Sequence, residues 1–177
     1  MRAHDDRRLA DSLWRFSLAL YARAGVAQAL IALQDAHGFD INLILLGLWA
    51  GAVRGVPLAD GDFVAAAAAD AGLRRLLIAP LRGLRRELKQ GVDDSCARMI
   101  RQRILSIELR GEREVQARLV ATLSPRPKPG SAAEREAKAR ANLAAYLGAA
   151  GMEEARTVLD ALHSLMRCGR AALRPSA

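Results

Sequence analysis

The stretch Ile41–Val53 constrains the fold most. It holds thirteen residues without one charged side chain. A helix that is apolar on every face has to be covered on several sides. Thirteen residues also fall short of the about 20 needed to span a bilayer, so the run reads as a central buried helix, here extended to about Arg54. Gly47, Gly51 and Gly55 recur every four residues along it. Each glycine costs a helix roughly 1 kcal/mol against Ala, and the compensation expected is close approach of another helix backbone.

The other segments are also helical in character. Ala, Leu and Arg favour helices, and no alternating β-branched stretch is bounded by Asn-Gly or Asp-Gly. The expectation is an all-α chain, a compact bundle of about seven or eight helices. A first helix over about Asp11–Arg23 carries Leu13, Phe16 and Leu20, with Asp11 or Ser12 as cap. A second, about Val26–Ala36, carries Val26, Leu30 and Leu33, and Gly38 suits a left-handed stop. Asp40 is placed to cap the central helix. A short helix over about Phe63–Ala71 precedes Gly72–Gly91, where Pro80 either kinks the chain or starts a new helix. Asp93 and Asp94 can cap a long helix over 94–122, which would project or break near Gly111. Ile100, Ile104, Ile107, Val115 and Leu119 form its expected stripe.

Ser124–Ser131 carries three prolines in eight residues and reads as a linker. The domain expectation is a helical core over 1–123, the Pro-rich linker 124–131, and a C-terminal helical hairpin over 132–177 built from about Ala132–Leu147 and Met152–Ala172.

Several chemistries are missing from the sequence. Two cysteines, Cys96 and Cys168, lie far apart and make no CxxC; both read as small buried or half-buried thiols. His4, His37 and His163 make no HExxH or HxH. There is no GxSxG, GxGxxG or phosphate-loop motif. No metal or cofactor is expected. The opening MRAHDDRRLADSL lacks an apolar stretch, so no secretory signal is expected and the chain reads as cytoplasmic.

Two groups of residues stand out as candidate sites. Between the second and third helices the chain places Asp35, His37, Asp40 and Asn42. An Asp and a His close together can act as acid and base. Each also has a structural use: His37 on a helix dipole, Asp40 as a cap, Asn42 on first-turn backbone groups, and Asp35 paired with Arg23 or another arginine. Trp14, Trp49 and Tyr21 read as core anchors. The second group is basic. The net charge is +8, and Arg75, Arg82, Arg86 and Lys89 share a helix face if the helix survives Pro80. Such a face attracts phosphate, yet it lacks the aromatic interleaving of single-strand binders.

Leu13–Gly51 also carries a resemblance. Trp14–Ser17, Leu20–Tyr21, Gly25–Val26, Leu33–Asp35 and Asp40–Leu45 resemble the opening of a proteobacterial family of small helical proteins known only as a conserved domain of unknown function. Ala79–Lys89 resembles its Pro-Leu-Arg segment. Where that family has Pro before Gly25-Val26, this chain has Ala24. The resemblance implies a small bacterial cytoplasmic protein and supplies no activity, substrate or catalytic residue.

Three functions compete on these residues. The leading one is a non-enzymatic helical interaction or adaptor module with a protein partner or a second copy of itself. The next is a binder of a small or lipid-derived ligand, or an enzyme, with its site at Asp35–Asn42. The third is a basic protein that holds nucleic acid or ribosomes without sequence specificity.

Overall fold

A computed structural model describes residues 2–91, 94–123 and 130–149. Asp93, His163, Cys168, most of the Pro-rich stretch and the helix expected at Met152–Ala172 lie outside the described residues.

Every regular element among them is helical. α1 spans Arg2–Tyr21, α2 Val26–His37, α3 Ile41–Ala52, α4 Asp60–Leu73, α5 Ala79–Gly91, α6 Ser95–Ala121 and α7 Ala132–Ala149. A π-helical turn, Arg74–Ile78, joins α4 to α5 without interruption. The short helix and the Pro80 helix expected separately are therefore one continuous run. This leaves six helical runs among the described residues, where the sequence suggested seven or eight over the whole chain. The proline disturbs the helix at this point. Pro80 offers no amide hydrogen, and its ring crowds the carbonyl one turn back. Widening the preceding turn lets the Ala79 amide reach Arg74 O, five residues back.

α3 is the centre. Ile41 through Gly51 are all buried. α7 runs antiparallel along it: Gly51 faces Ala139, Gly47 faces Asn142, and the Asp40 amide donates to Tyr146 Oη at 2.8 Å. A Cβ at Gly51 would fall inside the backbone of Lys138 and Ala139. The close approach expected of the glycine column is thus real at Gly51 and, more loosely, at Gly47. Gly55 is not part of it. It has φ 64° and forms the left-handed turn after α3, a conformation that a side chain disfavours.

Asn142 fixes the same contact with polar bonds. Its Nδ2 donates to Gly47 O and Val56 O, both at 3.0 Å, and its Oδ1 accepts from Leu58 N at 2.7 Å. Ala139, Leu143, Tyr146 and Leu147 join one core with Leu13, Leu30, Phe63 and Leu119.

α1 begins earlier than expected. Asp11 is not its cap and instead pairs with Arg113 at 2.6 Å. Ser12 accepts from Trp49 Nε1 at 3.2 Å. α6 does not break at Gly111, which is buried against Ile78 and Leu77. Its buried stripe is Ala97, Ile104, Glu108, Gly111, Val115 and Leu119. Ile100 and Ile107, expected in it, are largely exposed. Cys96, expected to be buried or half-buried, is exposed. No single helix among the described residues is long and apolar enough to cross a membrane.

Candidate functional site

Asp40 begins the site. Its backbone is extended, and its Oδ1 accepts from Asn42 N at 2.9 Å, so it caps α3 as expected. Its second oxygen pairs with Arg74, which also pairs with Asp70 one turn earlier in α4. Asp70 is fully buried, and its Oδ1 has no hydrogen-bond partner among the described residues. Burial pushes the Asp40 carboxyl above the usual carboxylate range, and Arg74 only partly opposes this. Burial also holds the neighbouring Tyr146 phenol up at about 12.

Asn42 lies two residues on, in the first turn of α3, and its side chain does not serve first-turn backbone groups. Its Nδ2 donates to Glu112, and its Oδ1 accepts from Gln116 Nε2 at 3.1 Å. Gln116 Nε2 also donates to Ser17 Oγ at 3.0 Å. Glu112 accepts from Arg82. Glu108 accepts from Arg82 Nε at 3.2 Å and from both Nε and Nη2 of Arg85, at 2.8 and 3.3 Å. A chain of polar bonds therefore runs from α1 through α3 and α6 to α5. Two guanidiniums and two carboxylates balance one another along it.

One acceptor in this chain is left over. Gln116 is 2% exposed, and its Oε1 has no partner among the described residues. A buried acceptor in that state typically costs about 1–3 kcal/mol.

Above the network opens a cleft of about 670 Å³. α1 contributes Trp14, Ser17, Leu18 and Tyr21. α2 contributes Ile31, Gln34 and Asp35, and α3 contributes Ile41, Asn42 and Leu45. α5 supplies Arg82, Arg85 and Arg86, and α6 supplies Glu108, Leu109, Glu112 and Gln116. Leu18, Ile31 and Leu109 are about half exposed at its rim, at 49%, 50% and 45%. Tyr21 is half-buried, and burial, with Glu112 adding to it, raises its phenol pKa against the opposing pull of Arg82. A second cavity, about 10 Å³, lies among Asp40, Asn42, Arg74, Arg82 and Glu112. That volume is close to the least that holds one water.

The structure divides both candidate groups. Asp35 and Asn42 line the cleft, and Asp40 lies beside it on the small cavity. His37 lines neither; its exposed ring stands 5.8 Å from that of Phe39. Asp35 and His37 are two residues apart on one helix, a spacing that does not bring side chains together. Of the basic group, Arg82 is turned into the carboxylates and Arg86 lines the cleft, while Arg75 and Lys89 are exposed away from it. Among the described residues, no three of His, Cys, Asp and Glu converge as a metal site.

Sequence reasoning missed Glu108, Glu112 and Gln116. They recur every four residues, and Glu108 falls inside the apolar stripe of α6. A carboxylate at a stripe position is the signal that marks them. Trp14 and Tyr21, read as core anchors, are instead half-buried walls of the cleft. Trp49 does anchor the core, at 1% exposure.

A family model described as a protein of unknown function (DUF2390) matches residues 12–119. That segment holds every residue lining the cleft and leaves out α7. No curated protein and no solved structure matches the chain.

Proposed function

We propose that this chain, which belongs to the DUF2390 family, is a small-molecule-binding helical protein whose site is the cleft between α1, α2, α5 and α6 over the start of α3. The observation that carries this reading is the cleft itself. Its volume falls within the roughly 300–1,000 Å³ of ordinary ligand sites. Its walls are largely apolar, and its floor carries the polar side chains of Asn42, Glu112 and Gln116. Such a floor orients a ligand, and such walls desolvate it.

Binding without chemistry is the simpler form of this reading. The cleft carboxylates Glu108 and Glu112 are both neutralised by arginine, and His37 does not line the cleft with Asp35.

Ligand binding is read by thermal shift across a metabolite collection. At about 100 times its Kd, a ligand stabilises by about 2.7 kcal/mol. In a chain of this size that raises Tm by roughly 5–10 °C. The double variant Leu18→Asn, Leu109→Asn should lose the shift while keeping a cooperative melt. A shift of the same size in that variant would count against the cleft.

A second reading, a helix-interaction module, is supported by Ile100 and Ile107. They lie one heptad apart on α6 and are 39% and 48% exposed. Light scattering of the purified chain tests its self-associating form. A monomer at high concentration that Ile107→Lys leaves unchanged would argue against it.

A further inference from the structure

The charge arrangement at the cleft says what kind of molecule it takes. Three arginines, Arg82, Arg85 and Arg86, face the cleft within little more than one turn of α5. The first two are engaged by Glu108 and Glu112. Arg86 has no acidic partner among the described residues, and it lines the same cleft as exposed Leu109. A guanidinium beside half-exposed apolar side chains is the pairing that suits an amphipathic anion. The planar donor fork takes the oxyanion, and Leu18, Ile31 and Trp14 take the apolar body. The chain's net +8 adds a long-range attraction of the same sign.

Resting on the binding reading above, we propose that the cleft takes a small amphipathic organic anion. Its carboxylate, phosphate or sulfonate lies against Arg86, and its apolar body lies against Trp14, Leu18 and Ile31.

Two dyes isolate the anionic group. 8-Anilinonaphthalene-1-sulfonate carries an apolar bicycle, an N–H donor and a sulfonate. N-phenyl-1-naphthylamine has the same body and donor without the sulfonate. The neutral dye is the more apolar of the two, so a cleft that reads apolar surface alone prefers it. Titrations use the full chain, with dye fluorescence and Trp14 quenching as readouts in a Trp49→Phe background.

The expected result is one bound anionic dye per chain, held about tenfold tighter than the neutral one, the scale of one hydrogen-bonded charge pair. Arg86→Gln should bring the two dyes within about twofold of each other. Arg103→Gln, an exposed arginine on α6 outside the cleft, should leave the preference intact. The Leu18→Asn, Leu109→Asn variant should lose both dyes.

Failure of both dyes to bind, or binding indifferent to that double variant, overturns the binding reading itself. Binding of both dyes that the double variant removes, with no preference for the sulfonate or a preference that survives Arg86→Gln, overturns the anion assignment and leaves the cleft standing.

Discussion

Arg74 is held between carboxylates from two elements, Asp40 at the start of α3 and Asp70 in α4. Three charges share a largely buried space, and their removal is not symmetric. Arg74→Met leaves two buried carboxylates with no counter-charge, a change that typically costs about 3–5 kcal/mol. Asp40→Asn keeps an α3 cap and leaves Arg74 paired with Asp70, so the expected loss is only about 0.5–1.5 kcal/mol. Asp40→Ala loses the cap as well and should be the worse of the two. The pH dependence has a definite sign. The folded Asp40 carboxyl is raised above its ordinary value, chiefly by burial. Its contribution is therefore complete below about pH 4 and is lost as pH rises through the folded value. In urea titrations Asp40→Asn should gain on the wild type across that rise. Arg74→Met should recover part of its loss on acidification. A loss for Arg74→Met independent of pH would mean that the guanidinium acts through packing and not through its charge.

At the scale of elements, two glycines on different helices separate propensity from packing. By propensity alone, Gly→Ala inside a helix gains roughly 1 kcal/mol. At Gly51 the added carbon would fall inside the α7 backbone, which has nowhere to go, and overpacking of that kind costs about 1–3 kcal/mol. Gly51→Ala should therefore lower Tm despite its better propensity. At Gly111 the added carbon meets the ends of the Ile78 and Leu77 side chains, which can rotate. Gly111→Ala should cost clearly less, and thermal melts of the two variants side by side decide the order. These elements also show what the sequence made legible. The all-α class, the buried α3, its Asp40 cap and the left-handed Gly38 all follow from local chemistry acting on neighbours in the chain. The partner of Gly51 did not, because α7 lies some ninety residues downstream and its Ala-rich surface reads as an ordinary helix. The π turn was hidden for another reason: Pro80 announces a disturbance, and only tertiary contacts choose among a kink, a break and a wider turn. Of the candidate site, the sequence picks out Asp35, Asn42, Arg82 and Arg86 on the cleft and Asp40 beside it. The site was illegible in Glu108, Glu112 and Gln116, whose importance comes from facing α5 and α3 across long separations.

At the scale of the whole molecule, the question is whether residues 1–123 can stand alone, as the Pro-rich stretch after them first suggests. We expect that they cannot. α7 lies along the most apolar helix of the chain, and without it the Gly47–Gly51 face of α3 and the ring of Phe63 lose their cover. Ala139, Leu143, Tyr146 and Leu147 are each buried to 9% exposure or less. At about 1.5–3 kcal/mol for each large apolar side chain, their burial contributes on the order of 5–8 kcal/mol before entropy is set against it. A whole domain has a net stability of only about 5–15 kcal/mol. Truncation also strips three hydrogen bonds, one from Gly47 in α3 and two from Val56 and Leu58 in the α3–α4 connection, because Asn142 serves all three. A chain ending at Leu123 should therefore keep helical circular dichroism but lose its sharp thermal transition and expose apolar surface. Adding a separate peptide of residues 130–149 should restore cooperativity in proportion to its concentration. If the truncated chain melts sharply at the full-length temperature, α7 is an accessory and the core closes without it.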